Sequence, residues 1–487
     1  MHVAVVHGYF LGDSGSGVYV RHLTRALLAD GHDVTLFCQE REPERYDFIN
    51  SVWDLDESNS VLTHVGDERP PSGPGRCRLV RPNLGGRLLV YVDGPFAGFE
   101  RSGIKAFQDA PTDWIDAYIA ANVAALCTAF ARWAPDVVLA QHAIMQPYVV
   151  REALGEGGHY VVTTHGSELN FSLRVDPRLV PYGVSGLLGA RAVVAVSPQA
   201  AEDTCAWASS HGLDIAAKTR AIYPGVDTDV FTPAPSRAQA IADLAAHVRL
   251  PADLALSPHD DVLAFVGRVG WSKGIQHAVV ALSLIAALRP GVKLLVAGAG
   301  PARSALEALA ALLAAGDAGD ARSLALADPE LRTNAEYGPL VPAGIGRLGP
   351  VRVAYLGHLV SEDVARLFAV ADVALAPSIF PEAAALVTSE ALSCGALPVA
   401  TYQSGLRMMC DIVCDELGDE AFRALAPGTI LTTAIAETVV RDLVRYPTKD
   451  PEFRRRLHDC AARNFPTWRG IAALYVAMGV GGAVGPA

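Results

Sequence analysis

Short runs of aliphatic and β-branched residues alternate with longer stretches of mixed apolar and polar positions along nearly the whole chain. The short runs fit strands, and the longer stretches repeat their apolar residues at the helical period. In the first half this pattern predicts strands near Val3–Val6, Asp33–Cys38, Leu88–Val92, Asp136–Ala140, Tyr160–Thr164 and Ala192–Val196. Helices fit between them, notably over Gly17–Ala29, Trp114–Trp133 and Pro198–Ser209. The second half predicts strands near Val262–Val266, Lys293–Ala297, Val351–Tyr355, Asp372–Ala376 and Leu397–Ala400. Its helices fall near Ile275–Leu288, Ala302–Ala315, Ser361–Val370 and Val387–Cys394. Strands that alternate with helices imply parallel βαβ units and an α/β fold.

The alternation breaks once. Phe231-Thr232-Pro233-Ala234-Pro235 interrupts regular structure, and a helical insert leads to the strand at Val262. We therefore expect a first Rossmann-like domain over 1–230, a linker or insert over 231–261 and a second Rossmann-like domain over 262–465. A second irregular stretch, Gly316 to Pro350, is rich in Gly, Ala and Pro and long for a connection within a domain. It reads as a functional flap or a mobile insertion.

A chain of 487 residues exceeds what one hydrophobic core supports, which agrees with two domains. With 51% hydrophobic and 19% charged residues the composition is globular and not disordered. The net charge of -12 argues against nucleic acid as a partner and offers no general attraction to an anionic membrane. The opening Met1-His2-Val3-Ala4-Val5-Val6 enters a strand pattern without a basic leader, and apolar stretches such as Ala305–Ala315 are short and interrupted by Glu307. A cytoplasmic protein without a transmembrane segment is the expectation. Of eight cysteines only Cys410 and Cys414 lie close together, so we expect reduced thiols and no metal site.

The candidate chemistry concentrates in two motifs. In Phe265-Val266-Gly267-Arg268-Val269-Gly270-Trp271-Ser272-Lys273-Gly274, a strand ends in glycine, two cations follow five positions apart, and a glycine opens a helix. A planar guanidinium and a mobile ammonium suit a diphosphate. The alternative is a surface turn with two solvated cations. In Pro377 to Pro398, Glu382 lies in a loop and Glu390 sits eight positions later inside the following helix. The start of that helix presents unpaired N–H groups that suit phosphate; Glu390 suits a ribose diol and Glu382 a sugar hydroxyl. The alternative makes Glu390 a solvated helix residue and Glu382 a favourable charge near a helix N-terminus.

These motifs, in this order, resemble the GT-B glycosyltransferases, specifically the retaining GT4 group. Further segments carry the resemblance: Gly15-Ser16-Gly17 with its helix, Thr164-His165-Gly166-Ser167-Glu168, Val196-Ser197, Tyr223 to Phe231, Leu356-Gly357-His358-Leu359-Val360, and Phe465-Pro466-Thr467-Trp468. The resemblance implies two Rossmann-like domains facing across a cleft, with residues 466–482 forming a helix that crosses back to the first. It implies a retaining hexosyl transfer, independent of metal, from a nucleotide-sugar, with UDP-sugars favoured, to a hydroxyl of a small molecule. His165, Glu382, Arg268 and Lys273 would be catalytic. Gly15, Gly17, Gly267, Arg268, Lys273, His358, Val360, Glu382, Ala385, Leu386, Val387 and Glu390 would bind the nucleotide-sugar, which serves as co-substrate with no cofactor. The protein would be a monomer or homodimer.

Some positions depart from that pattern. Ala384 and Ala385 stand where the group has an aromatic residue and a glycine; Gln403-Ser404-Gly405-Leu406 replaces a double glycine, and Met408 an acidic residue. These changes bear on sugar identity and allow a catalytically altered sugar-nucleotide binder. A lipid acceptor is a further alternative. A dinucleotide oxidoreductase would read Gly15 and Gly17 as a phosphate fingerprint and Glu40 as its ribose acid, but Val20 occupies the third glycine position. Asp227-Thr228-Asp229 has the form of a metal-binding DxD and reads better as a capping turn. Without the family resemblance, His165 reads as a strand-end histidine bonded to backbone.

Overall fold

The computed structural model describes residues 1–12, 14–91, 103–384 and 386–482. The chain forms two compact units, one of Met1–Pro224 joined by the stretch that begins at Thr467, the other of Gly225–Pro466.

The first unit is built on nine strands: β1 (His2–Val6), β2 (Asp33–Phe37), β3 (Ser51–Leu55), β4 (Leu62–Val65), β5 (Cys77–Arg81), then β8 (Val137–Gln141), β9 (Val161–Thr164), β10 (Ala192–Ala195) and β11 (Thr219–Ala221), with β6 (Leu88–Val90) and β7 (Ile104–Ala106) forming a separate parallel ribbon. Their order is β11-β10-β9-β8-β1-β2-β5-β3-β4, parallel except for the β3–β4 edge pair. Central strands such as β1 are buried along their length, as helices on both faces require. The helices are α1 (Gly15–Ala29), α2 (Thr112–Arg132), α3 (Gln146–Leu154), α4 (Val180–Gly189) and α5 (Pro198–Ser210). The second unit has α6 (Arg237–His247), α7 (Ile275–Leu288), α8 (Arg303–Ala314), α9 (Ala318–Ala327), α10 (Ser361–Val370), α11 (Leu386–Ser393), α12 (Leu406–Leu417), α13 (Leu431–Arg445) and α14 (Pro451–Asn464); α15 (Trp468–Val480) belongs to the first. Its sheet is all parallel, in the order β14-β13-β12-β15-β16, from β12 (Val262–Val266), β13 (Lys293–Ala297), β14 (Val353–Gly357), β15 (Val373–Ala376) and β16 (Leu397–Ala400).

Helix α15 is tied into the first unit by a buried hydroxyl chain. Tyr475 Oη lies 2.9 Å from Tyr19 Oη on α1 and 2.8 Å from Thr163 Oγ1 on β9. Trp468 stacks on His22 at a centroid distance of 5.0 Å.

Two buried charges organise the second unit. Asp372, at the foot of β15, accepts hydrogen bonds from both terminal nitrogens of Arg237, from Thr448 Oγ1 and from Val262 N. Arg454 on α14 faces no carboxylate in hydrogen-bond range; it donates to the carbonyls of Phe368, Ala369, Ala371, Cys394 and Thr448. The first four of these oxygens lie at the carboxyl ends of α10 and α11, where unpaired carbonyls and the helix dipole favour a cation; Thr448 O lies in the link between α13 and α14.

Several expectations change. The strand expected over Leu88–Val92 ends at Val90, pairs with β7 and stays outside the main sheet; Val92 lies outside the described residues. Residues 231–261 are part of the second unit, held there by Arg237. The stretch Gly316–Pro350 is no loose flap, because it contains α9 and buries Leu331 and Tyr337 in the core. Helix α2 alone among the described helices is long and apolar enough to cross a membrane. Its buried face of Ile115, Tyr118, Asn122, Ala125, Leu126 and Ala129 points into the unit's core.

Arg454→Met should take a donor from each of five carbonyls and cost at least about 3 kcal/mol in urea unfolding. A second expectation concerns acid. Burial pushes the imidazolium pKa of His277 and His165 down to about 3 and that of His22 to about 4. An unfolded histidine takes up a proton near pH 6.5, so below that the unfolded chain binds more protons than the folded one. Stability should therefore be complete above that pH and fall as pH drops from about 6.5 toward 3, by about 1.4 kcal/mol per pH unit for each such histidine. His277, bonded to Thr432 Oγ1 at 2.9 Å and Thr333 Oγ1 at 2.8 Å, is the cleanest probe. Denaturation of His277→Gln between pH 7 and 5 should show a slope reduced by one histidine's share.

Candidate active site

In the second unit the chain winds outward from β12 through β13 to β14, then returns to place β15 on the other flank of β12. At such a reversal adjacent loops diverge and leave a crevice at the carboxyl ends of the strands. The loop after β12 carries Gly267, Arg268 and Lys273; the loop after β15 carries Glu382. The structure brings the Lys273 and Glu382 parts of the two loops together. Ser272 O accepts hydrogen bonds from Ile379 N at 3.0 Å and Phe380 N at 3.2 Å. Gly274 is left-handed, with φ +69°, and a Cβ there would stand 1.8 Å from Pro377 O. Only glycine lets these loops touch.

Lys273 Nζ lies 2.5 Å from Glu382 Oε1, an oxygen that also accepts from Ser378 Oγ. The lysine side chain keeps 35% of its exposure and the glutamate 15%, so the pair is reachable from solvent. The loop of Glu382 is held from behind by the segment that departs from the family pattern. Gly405 N donates to Glu382 O at 2.7 Å, while Gln403 Nε2 and Thr401 Oγ1 both donate to Ser378 O. Ser404 adopts φ +46°, a left-handed position that glycine would take without strain. Glu390 is buried in α11, which removes the reading of a solvated helix residue. Leu386 and Val387 are half-buried at the start of the same helix. Ala385 lies outside the described residues. His358 and Val360 are exposed after β14, two strands along from β12.

The first unit has its own reversal, between β1 and β8. The loops after β1, β8 and β9 gather a set of rings: His142 lies 4.2 Å from Tyr91 and 4.8 Å from His165 between centroids, and His7 lies 4.3 Å from Tyr9. Glu168 underlies them, fully buried. Its Oε1 accepts from His165 N at 2.8 Å and Ala143 N at 3.1 Å, and its Oε2 from His142 Nδ1 at 3.2 Å. Burial opposes its charge, but the hydrogen bond and the imidazoles of His142 and His165 outweigh burial and hold the carboxyl down at about 2. His165, hydrogen-bonded to Gln141 at 2.9 Å, stays neutral because burial, aided by His142, pushes it to about 3. His7 Nδ1, Gln141 Nε2 and His142 Nε2 are buried without a hydrogen-bond partner among the described residues. Polar atoms in that state mark a place that water or a ligand completes.

Sequence reasoning gave no role to Glu168, Gln141 or His142. Their signal was position: Glu168 follows His165 by three residues, and Gln141-His142 closes a strand. The two glycines divide. A Cβ on Gly17 would meet Leu11 O at 2.6 Å, so that glycine serves its own loop, whereas nothing lies within 4 Å of one on Gly15. Glu40, the ribose acid of the oxidoreductase reading, is buried and accepts from Leu11 N, Arg41 N and Glu42 N. Asp227 caps its own turn through Asp229 N and Val230 N.

Comparison with known proteins bears on the fold. Residues 14–211 match the family model described as a glycosyl transferase 4-like domain. Over 185 residues the chain is 34% identical to the D-inositol 3-phosphate glycosyltransferase of Mycobacterium sp. (strain JLS); the match takes in 38% of this chain and 32% of that protein, about a third of its length. Among solved structures, sucrose-phosphate synthase from Thermosynechococcus elongatus superposes with a TM-score of 0.61 at 19% identity, covering 97% of each chain. Anabaena HepE, solved with UDP and glucose, gives 0.57 at 15% identity, again over 97% of each. The likeness to these structures carries the fold across nearly the whole chain, two α/β units with parallel sheets. Residues 14–211 thus resemble a glycosyl transferase 4-like domain, on a chain whose fold is shared with these glycosyltransferase structures.

Proposed function

We propose that this protein transfers a sugar, with retention of configuration, from a nucleoside diphosphate sugar to a hydroxyl of a small molecule. The observation that carries the reading is the contact between the Lys273 and Glu382 loops at the reversal of the second sheet. Breaking the anomeric bond leaves negative charge on the diphosphate and positive charge on the sugar. Lys273, Arg268 and the amino end of α11 are assigned to the departing diphosphate, in the role a metal takes elsewhere. Glu390 is assigned to the ribose and Glu382 to a sugar hydroxyl. UDP is the favoured nucleotide, supported by the UDP in the Anabaena neighbour. In the first unit we assign His165 to the sugar and acceptor chemistry. Being neutral, it accepts or donates a hydrogen bond without adding charge, and Glu168 fixes its loop. The inositol phosphate in the name of the Mycobacterium relative supports a small hydroxylated acceptor.

Titration with UDP, GDP, ADP and TDP tests the donor side. Lys273→Ala and Glu390→Ala should each weaken nucleotide binding about ten- to a hundredfold, the loss of one charge-assisted hydrogen bond. Glu382→Ala should act mainly on turnover. Unchanged affinity in Lys273→Ala would remove the assigned clasp, and tight binding without transfer or hydrolysis across a sugar-nucleotide panel would make the protein a binder. On the other side, Glu168→Gln keeps the shape and removes the charge. Its turnover should fall at least about tenfold at unchanged nucleotide affinity.

A further inference from the structure

The stretch between α8 and β14 is long, and the donor-site reading gives it no part. We infer that its middle, residues 330–337, is a positioning element that holds the Lys273 and Glu382 loops in register for a nucleoside diphosphate; the inference rests on that reading.

The contacts run to both loops. The Arg332 guanidinium stands 3.9 Å from the centre of the Trp271 ring, and Trp271 meets Phe380 edge-on at 6.2 Å. One stack thus joins the insertion to a residue two before Lys273 and to another two before Glu382. Backbone bonds repeat the link. Gln276 Nε2 donates to Trp271 O at 2.9 Å and to Arg332 O at 2.8 Å. Asn334 Nδ2 donates to Ile379 O at 3.3 Å. His277, at the start of α7, holds Thr333 at 2.8 Å. A Cβ built on Gly270 would find Arg268 Nε at 3.6 Å and Glu330 Oε2 at 4.0 Å, so the insertion also borders the turn of Arg268. Leu331 and Tyr337 anchor the segment, both wholly buried.

The physical effect is preorganisation. A lysine is a flexible point charge, and fixing it on binding costs conformational freedom that a loop already held in place does not lose. Arg332 is placed to act through Trp271 and is a positioning residue.

The test is calorimetric titration of the full chain with UDP, or with ADP if that is the nucleotide it takes. The variants are Lys273→Ala, Arg332→Ala and Arg332→Lys. Arg332→Ala should raise the Kd roughly three- to tenfold, the scale of a partly desolvated cation–ring contact, and Arg332→Lys should recover most of it because the cation remains. A lowered melting temperature with unchanged Kd in Arg332→Ala overturns the inference while Lys273→Ala still loses affinity. If the protein takes up neither nucleotide, or Lys273→Ala binds as well as the parent, the donor-site reading falls and the inference with it.

Discussion

The second unit depends on one close approach. The strand-end loops after β12 and β15 touch where Gly274 meets the carbonyl of Pro377, and no side chain fits between them. Because the loops touch, Lys273 and Glu382 share an ion pair, and because α11 follows directly, Glu390 is buried near the same edge. A partly exposed pair of this kind adds little to stability, so its worth lies in where it fixes two charged groups. Stability comes from elsewhere: from Asp372, saturated with donors, and from Arg454, saturated with carbonyls.

The first unit solves a similar problem with a buried carboxylate. Glu168 ties the loop after β8 to the loop after β9 by accepting one backbone hydrogen from each, and it fixes the imidazole of His142 as well. His142 sits at φ +70°, a conformation few side chains adopt, which fits a position set by its surroundings. In both units, then, a carboxylate beside a strand-end loop holds the neighbouring loop in place. In one it is partly open to solvent, in the other it is sealed.

Much of this was legible in the sequence, for a definite reason. Strands buried on both faces read as unbroken aliphatic runs, so β1, β2, β9, β10, β12, β13, β15 and β16 stand out. The edge of the first sheet did not. β4 is mostly exposed and β11 only three residues long, so neither carries a hydrophobic signal. Lys273 and Glu382 stand out as candidates in the sequence because their motifs are local. Glu168, Gln141 and His142 were missed because their meaning is a contact across 24 to 26 residues that only folding makes. The insertion was misjudged for a related reason: its Gly, Ala and Pro content signals a loop, while Leu331, Tyr337 and Arg332, which root it, are too sparse to form a periodic pattern.

The place of α15 carries a consequence for biosynthesis. Tyr475 closes a hydroxyl chain whose other members, Tyr19 and Thr163, leave the ribosome some three hundred residues or more ahead of it. Until it arrives, the face of α1 and β9 that it covers stays open, while the whole second unit is made in between. The nascent first unit must therefore wait, incomplete, with an uncovered flank that a chaperone would recognise, and a fragment cut at residue 224 inherits the same bare surface.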